Sequence, residues 1–420
     1  MKKGAFASVD PLCIGIIGGG QLGKMLSQEA KRLSLKVLIL DPDPNCPAAK
    51  VCDDLIVSDF KNDSSLKLLA SKSDLLTYEI EFTNSAALKE LGSQNYEIRP
   101  SPETLYIIQN KYRQKIFMKK NKIPVPNFAL INSEKELVRN ARDYGFPVIL
   151  KACENGYDGM GNYFIRSTGE IHDALRYFAG RECMLEEFVK FENEISIMVA
   201  RNMRGQIECF PVAENRHKQG ILDRSIVPGR VSNVVKKKAR KIACNIMHAF
   251  KTAGIFGIEM FVTADDKVVL NEIAPRPHNS GHYTIEASSV SQFEQHIRAV
   301  LDLPLSKPEL LSPATMYNIL GPNEFQGSYK LEGIKPLFAV PGVKLHLYGK
   351  SITKPRRKLG HITAVANSLT QSMITFPLSL MTRFFFPFTD PIIEYRKLYF
   401  SRTFTRFFDS FWLVTTSILS

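Results

Sequence analysis

One stretch of this chain leaves few folds open. Residues 256–262 (Phe-Gly-Ile-Glu-Met-Phe-Val) and 268–274 (Val-Val-Leu-Asn-Glu-Ile-Ala) are apolar, β-branched runs separated by a polar turn at Asp265, Asp266 and Lys267. That spacing predicts a β-hairpin. Each strand carries one carboxylate among apolar neighbours, Glu259 and Glu272. A carboxylate in such a setting needs a partner, a proton or a cation. Two of them on paired strands, with Asn271 beside one, make an all-oxygen site suited to magnesium, which usually also grips substrate phosphates. Arg276, His278, Asn279 and His282 follow in a loop punctuated by proline and glycine, and a ligand would account for its polarity. The alternative is a salt-bridged sheet edge followed by an ordinary loop.

The chain begins as an α/β domain. Residues 13–17 predict a buried strand that runs into Gly18-Gly19-Gly20-Gln21-Leu22-Gly23, then a helix, then a strand at 37–40 ending on Asp41. This matches a dinucleotide-binding opening, with glycines for close backbone approach, a helix N-terminus for phosphate and an acid after the second strand. Alone the motif is weak, because doubly wound domains with other duties share it. Further strands are expected at 53–57 and 75–81. Glu79 and Glu81 fall where the second of these ends, the usual place for ligand groups in open α/β sheets. A helix is expected from about Glu103, with Gln109 to Lys115 as its polar face and most of its lysines as surface charge.

Residues 147–151 predict a buried strand ending on Lys151. Glu154 to Asn162 follow, with glycines at 156, 159 and 161, and then a strand at 163–165. Strand, glycine-rich loop, strand forms a flap able to close over phosphates through backbone N–H groups, with Lys151 adding a point charge at its base. A flexible hairpin with a surface lysine is the alternative. Residues 183–189 predict another strand; backbone groups of such a linker hold adenine rings, and a carboxylate like Glu194 can hold ribose hydroxyls. His217 lies in a cationic cluster with Arg216 and Lys218. The basic run 236–241 reads as the solvated start of a helix that buries Ile242, Ile246, Met247 and Phe250. Short strands return at 314–320 and 343–348. Lys350, Lys354, Arg356, Arg357 and Lys358 then form either an anion clamp or a solvated basic loop.

Composition bounds the function. The 420 residues suffice for two or three domains, and 44% hydrophobic with 23% charged residues is a globular balance. The net charge of +13 suits anionic substrates, and no zinc-finger spacing or basic–aromatic repeat points to nucleic acid. The seven cysteines lack Cys-x-x-Cys pairs, so a reduced cytoplasm is expected. No secretory leader or membrane span is expected. Ten of the 27 phenylalanines, and the only tryptophan, lie in residues 367–420, a tail to which no role is assigned.

Together these stretches resemble the ATP-grasp superfamily and, within it, the 5-(carboxyamino)imidazole ribonucleotide synthase family. The residues that carry the likeness are Gly18 to Gly23, Thr77-Tyr78-Glu79, Gly156-Tyr157-Asp158-Gly159, Glu259, Asn271 to His282, and Arg357 to His361, within roughly residues 12–366. The resemblance implies an α/β, three-domain ATP-grasp architecture. Its parts are a doubly wound pre-ATP-grasp domain (1–105), an ATP-grasp domain (106–308) and a small β-rich C-terminal domain (309–366), followed by the tail. It implies a ligase that takes ATP, bicarbonate and aminoimidazole ribonucleotide through carboxyphosphate in purine biosynthesis, as a cytoplasmic homodimer. By resemblance, Glu259 and Glu272 hold magnesium, with manganese as an alternative. Lys111, Lys151, the flap Gly156, Tyr157, Asp158, Gly159, Met160, Gly161 and Asn162, then Glu186, Glu187, Phe188, Val189, Glu194, His217, Asn271 and Glu272 hold ATP. Arg276 and Lys151 carry the chemistry. Gln21, Glu79, Tyr157, Asp158, His278 and Asn279 line the imidazole side, with Lys350 and Arg357 on its phosphate. Met160 departs from the basic residue usual in the family, and Lys111 stands where arginine is also common. Three rival readings remain. A ligase like formate-dependent glycinamide ribonucleotide transformylase shares the Pro-Arg-Pro-His segment but not the flap. A dehydrogenase would bind NAD at Gly18 to Gly23 and leave the glutamate pair without work. A non-catalytic nucleotide-binding protein is the third.

Overall fold

The computed structural model describes residues 12–154, 161–331, 334–374 and 384–385. The first sheet is doubly wound. β1 (Cys13–Ile17), β2 (Lys36–Asp41), β3 (Asp54–Val57) and β4 (Leu75–Tyr78) run parallel in the order β3-β2-β1-β4. Their side chains are apolar on both faces because helices cover both. Ile14, Ile16 and Ile39 pack under α1 (Gln21–Arg32), while Ile17, Leu40 and Leu76 pack under α2 (Asp63–Ser71) and α3 (Ser85–Ser93). The fourth strand stops at Tyr78, short of the expected end, so Glu79 and Glu81 stand just beyond the sheet's carboxyl edge.

The single helix expected from Glu103 is two, α4 (Pro102–Gln109) and α5 (Lys111–Lys120). Asn110 separates them in an extended conformation and caps α5 by accepting from the Arg113 N–H. Such a side chain competes with the helical backbone and favours a boundary.

A small antiparallel sheet follows, ordered β5-β8-β6-β7: β5 (Phe128–Ile131), β6 (Val148–Ala152), β7 (Asn162–Ile165) and β8 (Cys183–Glu187). α6 (Glu134–Tyr144) and α7 (Ile171–Tyr177) close one face over Leu150, Ile165 and Leu185. The other face is open.

A nine-stranded sheet forms the body of the molecule. Its strands are β9 (Asn193–Arg201), β10 (Ile207–Cys209), β11 (Ala213–Lys218), β12 (Ile221–Val227), β13 (Gly254–Val262), β14 (Val268–Ala274), β15 (Ala314–Leu320), β18 (Val343–Leu347) and β20 (Lys358–Val365). Two short ladders lie beside it: β16 (Gly327–Ser328) on β19 (Ile352–Thr353), and β17 (Lys330–Leu331) on β21 (Phe384–Phe385). The order β14-β13-β9-β11-β12-β15-β20-β18 has a consequence for the C-terminal segment. Its strands extend the central sheet rather than building a separate one. α8 (Asn233–Phe250) buries Val235, Ile242, Ile246 and Met247 against this sheet, and its lysines face outward as the basic run predicts. α9 (Thr284–Ala287), α10 (Gln292–Val300) and α11 (Ile334–Phe338) complete the packing. α12 (Leu369–Ile374) packs on β15, with Tyr317 Oη donating to the Met373 carbonyl (3.0 Å). The described structure therefore continues past Ala366 into α12.

Candidate active site

The open face of the small sheet, the carboxyl edge of the first sheet and the β13–β14 hairpin enclose one cleft of about 1380 Å³. Among the described residues, every expected site residue except Gly161 and His282 lines it. Gly161 is buried beneath, its carbonyl accepting from the Ala152 N–H. The flap residues Gly156, Tyr157, Asp158, Gly159 and Met160 lie outside the described residues.

The hairpin forms as the sequence predicts, and its register sets Glu259 directly opposite Glu272, with a bulge just after. Both carboxylates face the cleft. Among the described residues, the ion-pair partner of Glu259 is His278, whose Nδ1 is 3.9 Å away. Burial strips charge from that imidazole, with Arg276 and Lys358 adding to the effect, so it brings no cation. Burial, aided by Glu272 and partly offset by His217, pushes the Glu259 carboxyl up to about 7. This is a carboxylate pair short of positive charge. No group of three or more metal-ligating side chains exists among the described residues. Two carboxylates with remaining positions left to phosphate and water is the ordinary magnesium arrangement, and the donor set fits that ion.

The floor of the cleft is different. Glu186 is fully buried on β8 and takes Lys151 from β6 on one oxygen and Lys115 from α5 on the other (2.9 Å). Burial alone would raise its pKa; the two lysines overcome this and hold it down at about 2. Burial pulls Lys115 downward at the same time, so the net stabilisation is smaller than the shift on Glu186 alone implies. Lys115 was expected as surface charge and is 2% exposed. The clue was periodicity. Lys111 and Lys115 are one turn apart and share a helix face, so a ligand-facing Lys111 puts Lys115 on the same side.

Above the floor, Phe191 stacks on Phe261 (ring centroids 4.6 Å apart) and Phe164 meets Phe188 edge-on (6.0 Å). These rings make a flat apolar wall beside the Glu186–Val189 segment. No sequence signal marked Phe191 or Phe261 as functional. Glu194 and His217, expected separately, bond to each other. Burial opposes a charge on His217, but that bond and the Glu259 carboxylate raise its pKa.

Toward the first sheet, Arg276 pairs with Glu81 (3.0 Å), so part of its guanidinium fork is already engaged. Burial raises Glu79, which accepts from the Gly20 N–H (2.6 Å), and Asp41 accepts from the Gly19 N–H (2.7 Å). The loop's amides and the acid after β2 thus satisfy one another, and neither is free for a dinucleotide. Gly18 sits at φ 95°, and a Cβ on Gly20 would lie 2.6 Å from Glu79 Oε1. The glycines bring a carboxylate close, which corrects the NAD reading. Lys350 enters from the C-terminal segment, and burial, with Arg357 nearby, lowers it to about 8. Arg357 donates from Nη1 to the Ile352 carbonyl (2.7 Å). His282, expected to face a ligand, is buried and bonds Gln292 (3.0 Å), so its polarity is internal.

Three domain families match in order: the ribonucleotide synthetase preATP-grasp domain at residues 12–109, the ATP-grasp domain at 116–293, and the phosphoribosylaminoimidazole carboxylase C-terminal domain at 314–373. The last match extends beyond Ala366 and includes most of α12. The chain is 39% identical over 350 residues to N5-carboxyaminoimidazole ribonucleotide synthase of Bacillus subtilis, covering 83% of this chain and 90% of that protein. It is 42% identical over 373 residues to phosphoribosylaminoimidazole carboxylase of Candida glabrata, covering 86% of this chain and 65% of that protein's length. The crystal structure of N5-carboxyaminoimidazole ribonucleotide synthetase from Thermotoga maritima matches with a TM-score of 0.80 at 44% identity, covering 87% of this chain and 96% of that one. The synthase of Aspergillus clavatus, in complex with ADP and 5-aminoimidazole ribonucleotide, matches with a TM-score of 0.82 at 34% identity, covering 89% and 98%.

Proposed function

The chain belongs to the N5-carboxyaminoimidazole ribonucleotide synthase family of ATP-grasp ligases, and from that premise we propose that it carboxylates 5-aminoimidazole ribonucleotide with ATP and bicarbonate. The products are 5-(carboxyamino)imidazole ribonucleotide, ADP and phosphate, in de novo purine biosynthesis. One observation carries the reading: a single cleft holds a cation-hungry carboxylate pair, Glu259 and Glu272, together with a phosphate-sized cationic group, Lys350 and Arg357.

The chemistry needs positioning and charge neutralisation more than a protein nucleophile. A bicarbonate oxygen attacks the γ-phosphorus, the bond to the β-phosphate breaks, and ADP leaves with carboxyphosphate formed. The acceptor's exocyclic nitrogen then bonds the carboxyl carbon, directly or after carbon dioxide is released, and phosphate departs. Glu259 and Glu272 would hold magnesium, or manganese, which would supply positive charge to neutralise the phosphates. Lys111 and Lys151 balance phosphate charge, and the Phe191–Phe261 wall with Glu186 to Val189 receives adenine. Asn162 and Asn271 border the nucleotide, and Glu194 with His217 takes the ribose. Arg276 uses its remaining guanidinium N–H groups for bicarbonate or carboxyphosphate. Gln21, Glu79, His278 and Asn279 border the imidazole, and Lys350 with Arg357 holds the 5′-phosphate.

The test is phosphate release from ATP with each candidate acceptor, with and without bicarbonate. Turnover that needs both aminoimidazole ribonucleotide and bicarbonate supports the assignment. Turnover with glycinamide ribonucleotide and formate transfers the site to the rival ligase. A cytoplasmic homodimer belongs to the same proposal. The seven unbridged cysteines support the reduced compartment; sedimentation at micromolar concentration checks the dimer.

A further inference from the structure

Away from the cleft, the far side of the central sheet holds a thiol pair that the proposed reaction does not use. Cys209 ends β10, Cys244 lies midway along α8, and their sulfurs are 3.7 Å apart. Among the described residues no other two cysteines are in hydrogen-bond contact. Cys209 is 3% exposed, whereas Cys244 is half-buried and reachable from solvent. Arg240 lies one turn earlier on the same helix face. The other half-buried cysteines, Cys13 and Cys52, make no thiol–thiol hydrogen bond among the described residues.

We propose that Cys244 and Cys209 form a peroxide-responsive site, with Cys244 as the attacking thiol and Cys209 as the resolving one. The Cys244 thiolate attacks one peroxide oxygen; an S–O bond forms, the O–O bond breaks, and the departing hydroxide or alkoxide takes a proton. The Cys209 sulfur then attacks the sulfenic sulfur; the S–S bond forms, the S–O bond breaks, and the Cys209 proton leaves with the hydroxide as water. Two thiols lose two electrons in total, and the peroxide gains them. The sulfurs must close from 3.7 Å to about 2.05 Å, a movement within reach of side-chain rotation and a small helix shift. The electrostatics favour this order. The hydrogen bond between the two thiols comes first, with Arg240 adding to it against burial, and together they lower the Cys244 pKa. Burial raises the thiols of Cys13 and Cys52 instead. Because α8 packs on β9, β13 and β14, the bridge would tie the helix beneath the Glu259–Glu272 hairpin to the edge strand β10.

The experiment treats the full-length reduced protein with stoichiometric hydrogen peroxide, then measures intact mass, free thiols and the peptide map. The expected result is loss of two of the seven thiols, a Cys209–Cys244 peptide link within one chain, and full reversal by dithiothreitol. In Cys209→Ser, the same dose should stop at a sulfenic acid on Cys244 that dimedone traps. First oxidation at Cys13 or Cys52, a link between chains, or seven intact thiols in the folded wild type would each overturn the proposal. The wild-type map decides the matter even if a variant folds poorly.

Discussion

The β13–β14 wall of the cleft, which carries Glu259 and Glu272, and its floor, which carries Glu186, are both built around glutamates, and they behave in opposite ways. Glu186 on the floor has two lysines in direct contact and a carboxyl held down at about 2; Glu259 on the wall has a neutral imidazole at 3.9 Å and only a partial offset from His217 and Lys358, and its carboxyl is pushed up to about 7. Glu186 is buried and the Glu259 side chain is only 16% exposed, so burial alone does not separate them. The distinction is whether the protein has already supplied the compensating charge. A compensated buried carboxylate organises its own neighbourhood, here by holding Lys115 and Lys151 at the base of the cleft. An uncompensated pair is poised for a cation from outside. The glycine loop follows the same logic, since its amides are spent on Glu79 and Asp41.

Breaking the floor should produce the largest effect. Glu186→Gln leaves two buried lysines without an anion and should destabilise the protein by about 3–5 kcal/mol in denaturant titration. A loss below about 1 kcal/mol would mean the triad behaves like a surface pair. The wild type carries a pH signature of the same contact. Its carboxyl is depressed in the folded state, so the stabilisation is fully present above the ordinary glutamate value of 4.5 and drains away as pH falls through about 2. The Gln variant should lack that slope.

The wall should respond in the other currency. Glu272→Gln removes an anionic ligand and should cut magnesium-dependent ATP turnover by about a hundredfold or more, while stability stays within about 0.5 kcal/mol. Lost stability with intact turnover would reverse the roles assigned to wall and floor.

Smaller effects are expected at the basic end. Arg357→Ala should raise the Michaelis constant for the ribonucleotide about ten- to a hundredfold and leave that for ATP nearly unchanged, because a charged hydrogen bond is worth about 1.5–3 kcal/mol. A change in the ATP constant alone would mean that the two substrates are exchanged in the cleft. Smallest is a pH effect at Lys350, which is cationic only below about 8. The kcat/KM for the ribonucleotide should fall by up to about tenfold per pH unit above that value, and Lys350→Arg should remove the limb. A flat alkaline profile in the wild type would take Lys350 off the phosphate.

The parts of the fold that were legible rest on local signals. The β13–β14 hairpin, the strand at 314–320 and the buried face of α8 follow from periodicity and turn residues, which act over a few neighbours. The break at Asn110 was missed because capping competes with a helical pattern that runs through it. That the C-terminal strands continue the central sheet was not legible, because strand identity says nothing about which strand lies alongside, and β15 pairs with β12.

The sequence by itself determined the chemical inventory: two lone glutamates in apolar strands, a glycine-rich opening, a lysine at a strand end and a basic loop. Only the tertiary structure decided which of these charges remain available. Lys115 and Glu186 are far apart in the chain, and so are Gly20 and Glu79, yet each pair is in contact and each neutralises what local reading would have counted as free. The physical reason is that patterning sets where a side chain points over one turn or one pleat. Desolvation and Coulomb energy depend instead on every group brought within a few ångströms by the whole fold.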